Sequence, residues 1–365
     1  MTPIQIMAIL ALAAACCTTA RATPYVPRDG AQVVERLPKR NDAQQRELRQ
    51  LRAQLAAQPR DVALAGQLAK RYIEIGRASG DPRYLGYAQA VLAPWWTEPA
   101  PPPGVRLLRA TLLQNQHRFD DALVDLDGLV RQDRGNAQAW LTRATVLQVR
   151  GRFDEARASC ARLFSLAPEI VTATCFAGVA GQTGQARQAR ALIERALARD
   201  PHADAAVLVW AHTVAGETAA RLGDTAGAER HFRQALALDR DDVYLLGAYA
   251  DFLLDAQRAQ DVIDLLQDRE RADGLLLRLA EARKRMRSPD AERNVRMLQD
   301  RFDAAALRGD AVHRREQARF ALHLQGDARG ALKLARQNWS VQKEPADVRI
   351  LLEAAAAARD HEAAS

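Results

Sequence analysis

Arg109-Ala110-Thr111-Leu112-Leu113-Gln114 recurs as Arg143-Ala144-Thr145-Val146-Leu147-Gln148, and Arg118-Phe119-Asp120-Asp121-Ala122 recurs as Arg152-Phe153-Asp154-Glu155-Ala156, both at a spacing of 34 residues. A repeat of that length is one supersecondary unit, which cannot bury its apolar face alone and must stack on its neighbours. Within each unit apolar residues fall at i, i+3, i+4 and i+7 in two successive runs, so the unit is a pair of amphipathic helices with a short turn between them. Composition agrees. The chain is rich in Ala, Leu, Arg, Gln, Asp and Glu and thin in Val, Ile, Tyr and Phe, which disfavours strands. With 48% hydrophobic residues it is too apolar to be disordered, and an elongated array can absorb all 365 residues as one body.

One unit carries Trp140-x2-Arg143-Ala144-x2-Leu147, Gly151, Phe153, Ala156-x3-Cys160 and Pro168. This resembles the tetratricopeptide repeat pattern W-x2-L-G-x2-Y, A-x3-F, P, with departures at Arg143, Leu147 and Cys160. The next unit has Phe176-Ala177, Ala180, Gly184, Ala189-x3-Ile193, Ala196 and Pro201; a later one has Gly223-Asp224, Ala228-x3-Phe232 and Ala235-Leu236; near the end Gly326-Asp327 precedes Ala331-x3-Ala335. The resemblance is strongest over residues 103–242 and implies an all-α, right-handed α-solenoid of helical hairpins over residues 41–359. The clearest repeats are expected at 103–136, 137–169, 170–203 and 209–242, degenerate ones at 61–96, 243–271, 273–306 and 309–340, and a C-terminal cap helix at 346–359.

The family resemblance further implies that first helices line a concave groove that holds a protein or peptide partner. Positions one period apart then form columns: Leu107, Leu141 and Cys175; Thr111, Thr145 and Val179; Gln114, Gln148 and Gln182. Trp210, Thr213, Tyr244 and Asp251 continue them. A glutamine amide offers a donor and an acceptor, as an extended backbone does, although glutamine is also an ordinary helix former on a polar face. Between the first two repeats, Pro94-Trp95-Trp96-Thr97-Glu98-Pro99-Ala100-Pro101-Pro102-Pro103-Gly104 is expected to be a non-helical loop whose tryptophans plug the core.

At the N-terminus, an uncharged apolar stretch from Ile4 to Ala15 leads to Ala20-Arg21-Ala22. This reads as a signal peptide over residues 1–22, exporting a soluble, periplasmic chain with no integral membrane span. The alternatives are a lipidated Cys16 or a retained anchor. Residues 23–40 read as an extended leader and Asp42 to Gln58 as a charged helix. Export removes Cys16 and Cys17, so Cys160 and Cys175 have a single possible pairing in an oxidising compartment. They lie at matching heights on two antiparallel helices about the Pro168 turn, which makes a disulfide possible.

The formal net charge is +7. Arginines interleave with Asp and Glu at helical spacing, as on solvated helix faces, and the basic run Arg283 to Arg287 has no aromatic interleaving, so nucleic acid is not the expected partner. No catalytic or phosphate-binding motif is present. The histidines are expected in turns or on polar faces, and no cluster of buried titratable groups is predicted. These features point to a non-catalytic exported scaffold with no cofactor and no metal. The alternative is an accessory subunit of envelope polymer assembly or secretion whose groove holds a polysaccharide.

Overall fold

The computed structural model describes Asp29, residues 42–310 and residues 312–360. The proposed signal peptide and nearly all of the leader lie outside the described residues. The chain divides into two compact units, Met1–Arg49 and Gln50–Ser365. The described part of the first is Asp29 and the beginning of helix α1 (Ala43–Ala57); the second holds the repeats.

Among the described residues of the second unit the helices form successive hairpins: α2 (Val62–Ser79) with α3 (Arg83–Val91), then, after the short α4 (Ala93–Trp96), α5 (Pro103–Asn115) with α6 (Phe119–Gln132), α7 (Ala137–Val149) with α8 (Phe153–Arg162), and α9 (Glu169–Gln182) with α10 (Ala186–Arg199). They continue with α11 (Ala205–Arg221) and α12 (Thr225–Leu238), α13 (Val243–Asp255) and α14 (Ala259–Leu266), and α15 (Asp273–Arg285) and α16 (Ala291–Leu307). The last hairpin joins α17 (Arg314–Phe320), extended by a π-helical turn at Ala321–Gln325, to α18 (Ala328–Trp339), and α19 (Pro345–Ala358) follows. The architecture is an all-α solenoid of tetratricopeptide-like hairpins.

Two devices close the hairpins. Where the helices cross they meet at small, buried residues, Ala110 with Ala122, Ala144 with Ala156 and Ala177 with Ala189, none more than 1% exposed. In the α11–α12 hairpin the corresponding residue is Gly216, where a Cβ would lie 2.9 Å from the Phe232 ring. Where the first helix ends, one residue turns left-handed: His117, Gly151, Gly184, Gly223, Gln257, Arg287 and Gly326 all have positive φ. The next N–H then reaches back to the last helical turn, as in Arg152 N to Leu147 O at 2.8 Å and Arg258 N to Leu253 O at 2.9 Å, satisfying carbonyls the helix leaves open.

Several expected boundaries move. The proline stretch is not helix-free: α4 has proline in its first turn and α5 starts at Pro103. Proline's missing N–H falls there among donors that have no intrahelical partner anyway. The fourth clear repeat starts at Ala205 rather than 209, because Asp204 caps the helix by accepting from Ala206 N at 2.9 Å. The arginines expected on solvated faces often bridge helices instead. Arg109, 9% exposed, donates to both Asp125 oxygens and to the carbonyls of Trp96 and Glu98, which pins the proline loop. Arg283 of the basic run turns inward to Glu270 and Asn294.

Each first helix packs on the first helix of the next hairpin, whereas successive second helices do not pack comparably. First helices therefore form the inside of a curve. The curve is closed enough that the coil meets itself. The left-handed Gly80, in the first hairpin, sits against Ala272 and Val243, and Gly151 sits against Lys343. Lys343 N donates to Val149 O at 2.8 Å, Arg150 donates to Val341 O at 2.7 Å, and the buried Gln342 carboxamide lies 3.0 Å from His117 Nδ1. Burial, opposed in part by Glu316, brings the His117 pKa down to about 4, so this contact forms around a neutral ring.

Cys160 and Cys175 are joined in the structure, with Cα atoms 5.7 Å apart, linking α8 to the first helix of the next hairpin. Closing a loop of this size stabilises a fold by about 3 kcal/mol in the chain-entropy model. Denaturation with and without reductant is expected to differ by about that amount; free thiols in the denatured, unreduced protein contradict the pairing. A second expectation concerns Gln257, which is exposed with φ of 59°. Gln257→Gly relieves the left-handed penalty and should stabilise the protein by about 1 kcal/mol, measured by urea denaturation.

Candidate binding channel

The inner wall of the later hairpins carries a continuous ion-pair network. Asp251 of α13 accepts from Arg278 of α15 at 2.9 Å and from Arg319 of α17 at 2.6 Å. Arg319 also clasps Glu281 of α15 through two bonds of 2.6 and 2.8 Å. His323 lies 3.3 Å from Glu281 and 3.1 Å from Glu353 of α19, and Arg349 ties Glu353 to Asp255 at the end of α13. Nearer the start of α17, Arg315 pairs with Glu316, Glu344 and Asp347.

Local structure explains how charge comes to line this wall. Arg315, Arg319 and His323 recur every four residues, so they share one face of α17 and its extension. The π-helical turn falls at His323, where a widened backbone is common at specialised sites. Burial opposes ionisation of Glu281, but Arg319 and His323 outweigh it and bring its pKa down to about 2. Arg278 and Arg319 likewise outweigh burial at Asp251 and hold its carboxyl below the usual range. Hydrogen bonds to Glu281 and Glu353 raise His323 to about 9. Its folded pKa lies above the unfolded value near 6.5, so its contribution to stability is complete below that pH and is lost as pH rises through about 9. NMR titration is expected to find His323 charged at pH 7, and Glu281→Gln to lower its pKa by about 1–3 units.

Tyr244, at the start of α13, is 61% exposed, and Glu217, Arg315 and Glu344 of other elements stand around it, so its ring lines an open concavity of the coil. Its hydroxyl donates to Glu217 Oε1 of α11 at 2.9 Å. Burial pushes the Glu217 carboxyl up, with Glu344 and Asp251 adding to the rise against Arg221.

Apart from the exposed Thr145, the other positions singled out by period are half-buried or buried. Leu107 and Leu141 pack half-buried against the core of the α5–α8 hairpins, and Trp210 bridges that core to the next. Cys175 and Val179 are buried in the core rather than facing a groove. The Thr111 and Thr145 hydroxyls donate to carbonyls of their own helices, at 3.0 and 3.1 Å. The Gln148 amide lies over Gly178, and Gln182 Oε1 is buried with no partner.

Two expectations are overturned here. A cluster of enclosed titratable groups exists, because residues far apart in sequence, such as Asp251, Glu281 and Arg319, are brought together only by coil curvature. The histidines are not all peripheral. His231 is 6% exposed and its Nδ1 lies 3.1 Å from that of His212. Burial, with His231 adding, lowers His212 to about 4, so both rings are neutral and one donates to the other. The four-residue stripe on α17 was the available sequence signal for the network, and it reads equally as a solvated face. Among the described residues no group of three or more metal-ligating side chains occurs, and no helix is long and apolar enough to cross a membrane.

The fold defined by these hairpins is that of the tetratricopeptide-repeat proteins. The anaphase-promoting complex hetero-tetramer Cut9–Hcn1 is 16% identical over 87% of this chain and 60% of that one, with a TM-score of 0.50. The human IFIT1 dimer with PPP-AAAA is 12% identical over 87% of this chain and 79% of that one, with a TM-score of 0.51. A thermophilic tetratricopeptide protein of Thermus thermophilus is 19% identical over 56% of this chain and all of that one, with a TM-score of 0.40. No family model and no curated protein sequence matches the chain.

Proposed function

We propose that the chain is a non-catalytic, exported scaffold whose inner channel holds an extended segment of a protein partner. The observation that carries this reading is the wall between α11, α13 and α17, where the exposed Tyr244 ring stands beside a set of charges fixed by ion pairs between helices. The tetratricopeptide-like fold itself suggests a protein-interaction scaffold. Gln114, Gln148 and Gln182, whose side-chain amides make no hydrogen bond among the described residues, extend the proposed wall into the earlier hairpins.

The chemistry of the wall supports binding over catalysis. Asp251, Glu281, Glu316 and Glu353 are all held ionised by neighbouring cations, which makes them poor proton acceptors at neutral pH. It also supports a protein over a polyanion, because Arg278, Arg315, Arg319 and His323 are each matched by carboxylates. Export rests on the apolar N-terminal stretch and the small residues after it.

A photoreactive amino acid at Tyr244, with a control at Val124, which is 70% exposed on the second helix α6, tests the reading. The expected result is a crosslinked polypeptide from position 244 and none from 124. A crosslinked glycan assigns the channel to polymer assembly instead, and equal yield from the two positions rejects the channel as the binding site.

A further inference from the structure

Among the described carboxylates of the channel wall, Glu217 stands apart. Asp251, Glu281, Glu316, Glu344, Asp347 and Glu353 each have a cation within 4.0 Å, whereas Glu217 has no ion-pair partner at that distance. Arg221, one helical turn away, acts on it only at longer range. Glu217 does have the Tyr244 hydroxyl, which occupies Oε1 and leaves Oε2 open. The Tyr244 ring beside it is 61% exposed within the concavity.

An aromatic face and a carboxylate side by side form a receptor for a cation: the ring quadrupole attracts positive charge and the carboxylate pairs with it. The open acceptor fixes where a cation docks. Oε2 is unoccupied and Oε1 keeps a second lone pair, as Asp251 Oδ1 does when it accepts from two arginines, so the carboxylate can receive the ammonium of lysine or the guanidinium of arginine laid against the ring. The surroundings agree. Burial and the carboxylates of Glu344 and Asp251 make negative charge on Glu217 costly, a cost that an arriving cation relieves.

We propose that Glu217 and Tyr244 form a pocket for the cationic end of a lysine or arginine side chain carried by the partner's extended segment. The pocket deepens the peptide-channel reading and rests on it. Its recognition element is local, requiring one cationic side chain and no particular sequence around it.

The test uses 3-fluorotyrosine-labelled protein, the Tyr244 resonance being assigned with Tyr244→Phe, and three capped pentapeptides that differ only in a central lysine, arginine or norleucine. The expected result is a saturable shift at Tyr244 with the lysine and arginine peptides and at least ~10-fold weaker binding for norleucine, in keeping with loss of a charge-assisted bond. Glu217→Gln keeps an acceptor for the tyrosine hydroxyl while removing the charge, and should weaken lysine-peptide binding by at least ~10-fold with the circular dichroism spectrum unchanged. Equal shifts from all three peptides, or undiminished lysine binding by Glu217→Gln, overturn the cation pocket and leave the peptide channel standing. No saturable shift with the lysine peptide also overturns the pocket, and the channel is then judged by crosslinking from position 244.

Discussion

Small side chains at the helix crossings set the geometry on which the rest of this structure depends. With alanine or glycine at Ala110, Ala144, Ala177 and Gly216, the two helices of a hairpin approach until the larger residues around the crossing interlock. A larger side chain at any of these points must push the helices apart or displace a ring such as Phe232. Because the hairpins repeat with nearly constant spacing, a small fixed angle between neighbours accumulates. First helices therefore stay in contact along the inside of the curve while second helices spread along the outside.

That curvature explains why so much charge can stand on the inner wall. Enclosed ions are stable only when paired with good geometry, and removing one partner strands the other at a cost of about 3–5 kcal/mol. Arginine suits the task because its planar group can bond two carboxylates from different helices at once, as Arg319 does with Asp251 and Glu281. The abundance of arginine over lysine in the chain is thus partly architectural. Such a network gives little net stability over an apolar wall. It does fix the positions of charges that a partner meets.

Repeat period, hairpin composition and the recurring glycines at 151, 184, 223 and 326, which turn left-handed in the structure, were legible in the sequence because each is a local property that recurs. Where His117, Gln257 and Arg287 take the same conformation, composition gave no hint, since tertiary packing rather than residue preference holds them there. The site was less legible. Period alone placed Gln114, Gln148 and Gln182 on equivalent points of successive helices, but could not say that Cys175 and Val179 would be enclosed by neighbours. The pairing of Asp251 with Arg319 spans 68 residues and exists only because the coil curves. Tyr244 was identified by register, while its partner Glu217 was not, because a carboxylate on a helix face looks the same in sequence whether it faces bulk water or a channel.

The meeting of the coil with itself alters how such a protein should come apart. An open solenoid behaves as a one-dimensional row in which the end repeats fray independently. Here Lys343 bonds to Val149 across 194 positions of sequence, and Gln342 reaches His117 across 225. Losing the last hairpin therefore also exposes the edges of the second and third, so the termini of the array are coupled through space rather than through the intervening repeats. Fraying at one end becomes a cost felt in the middle, and folding must close a long loop before the final contacts form. Such a chain trades the rapid, piecemeal assembly of repeat proteins for the slower and more concerted folding of a high-contact-order domain.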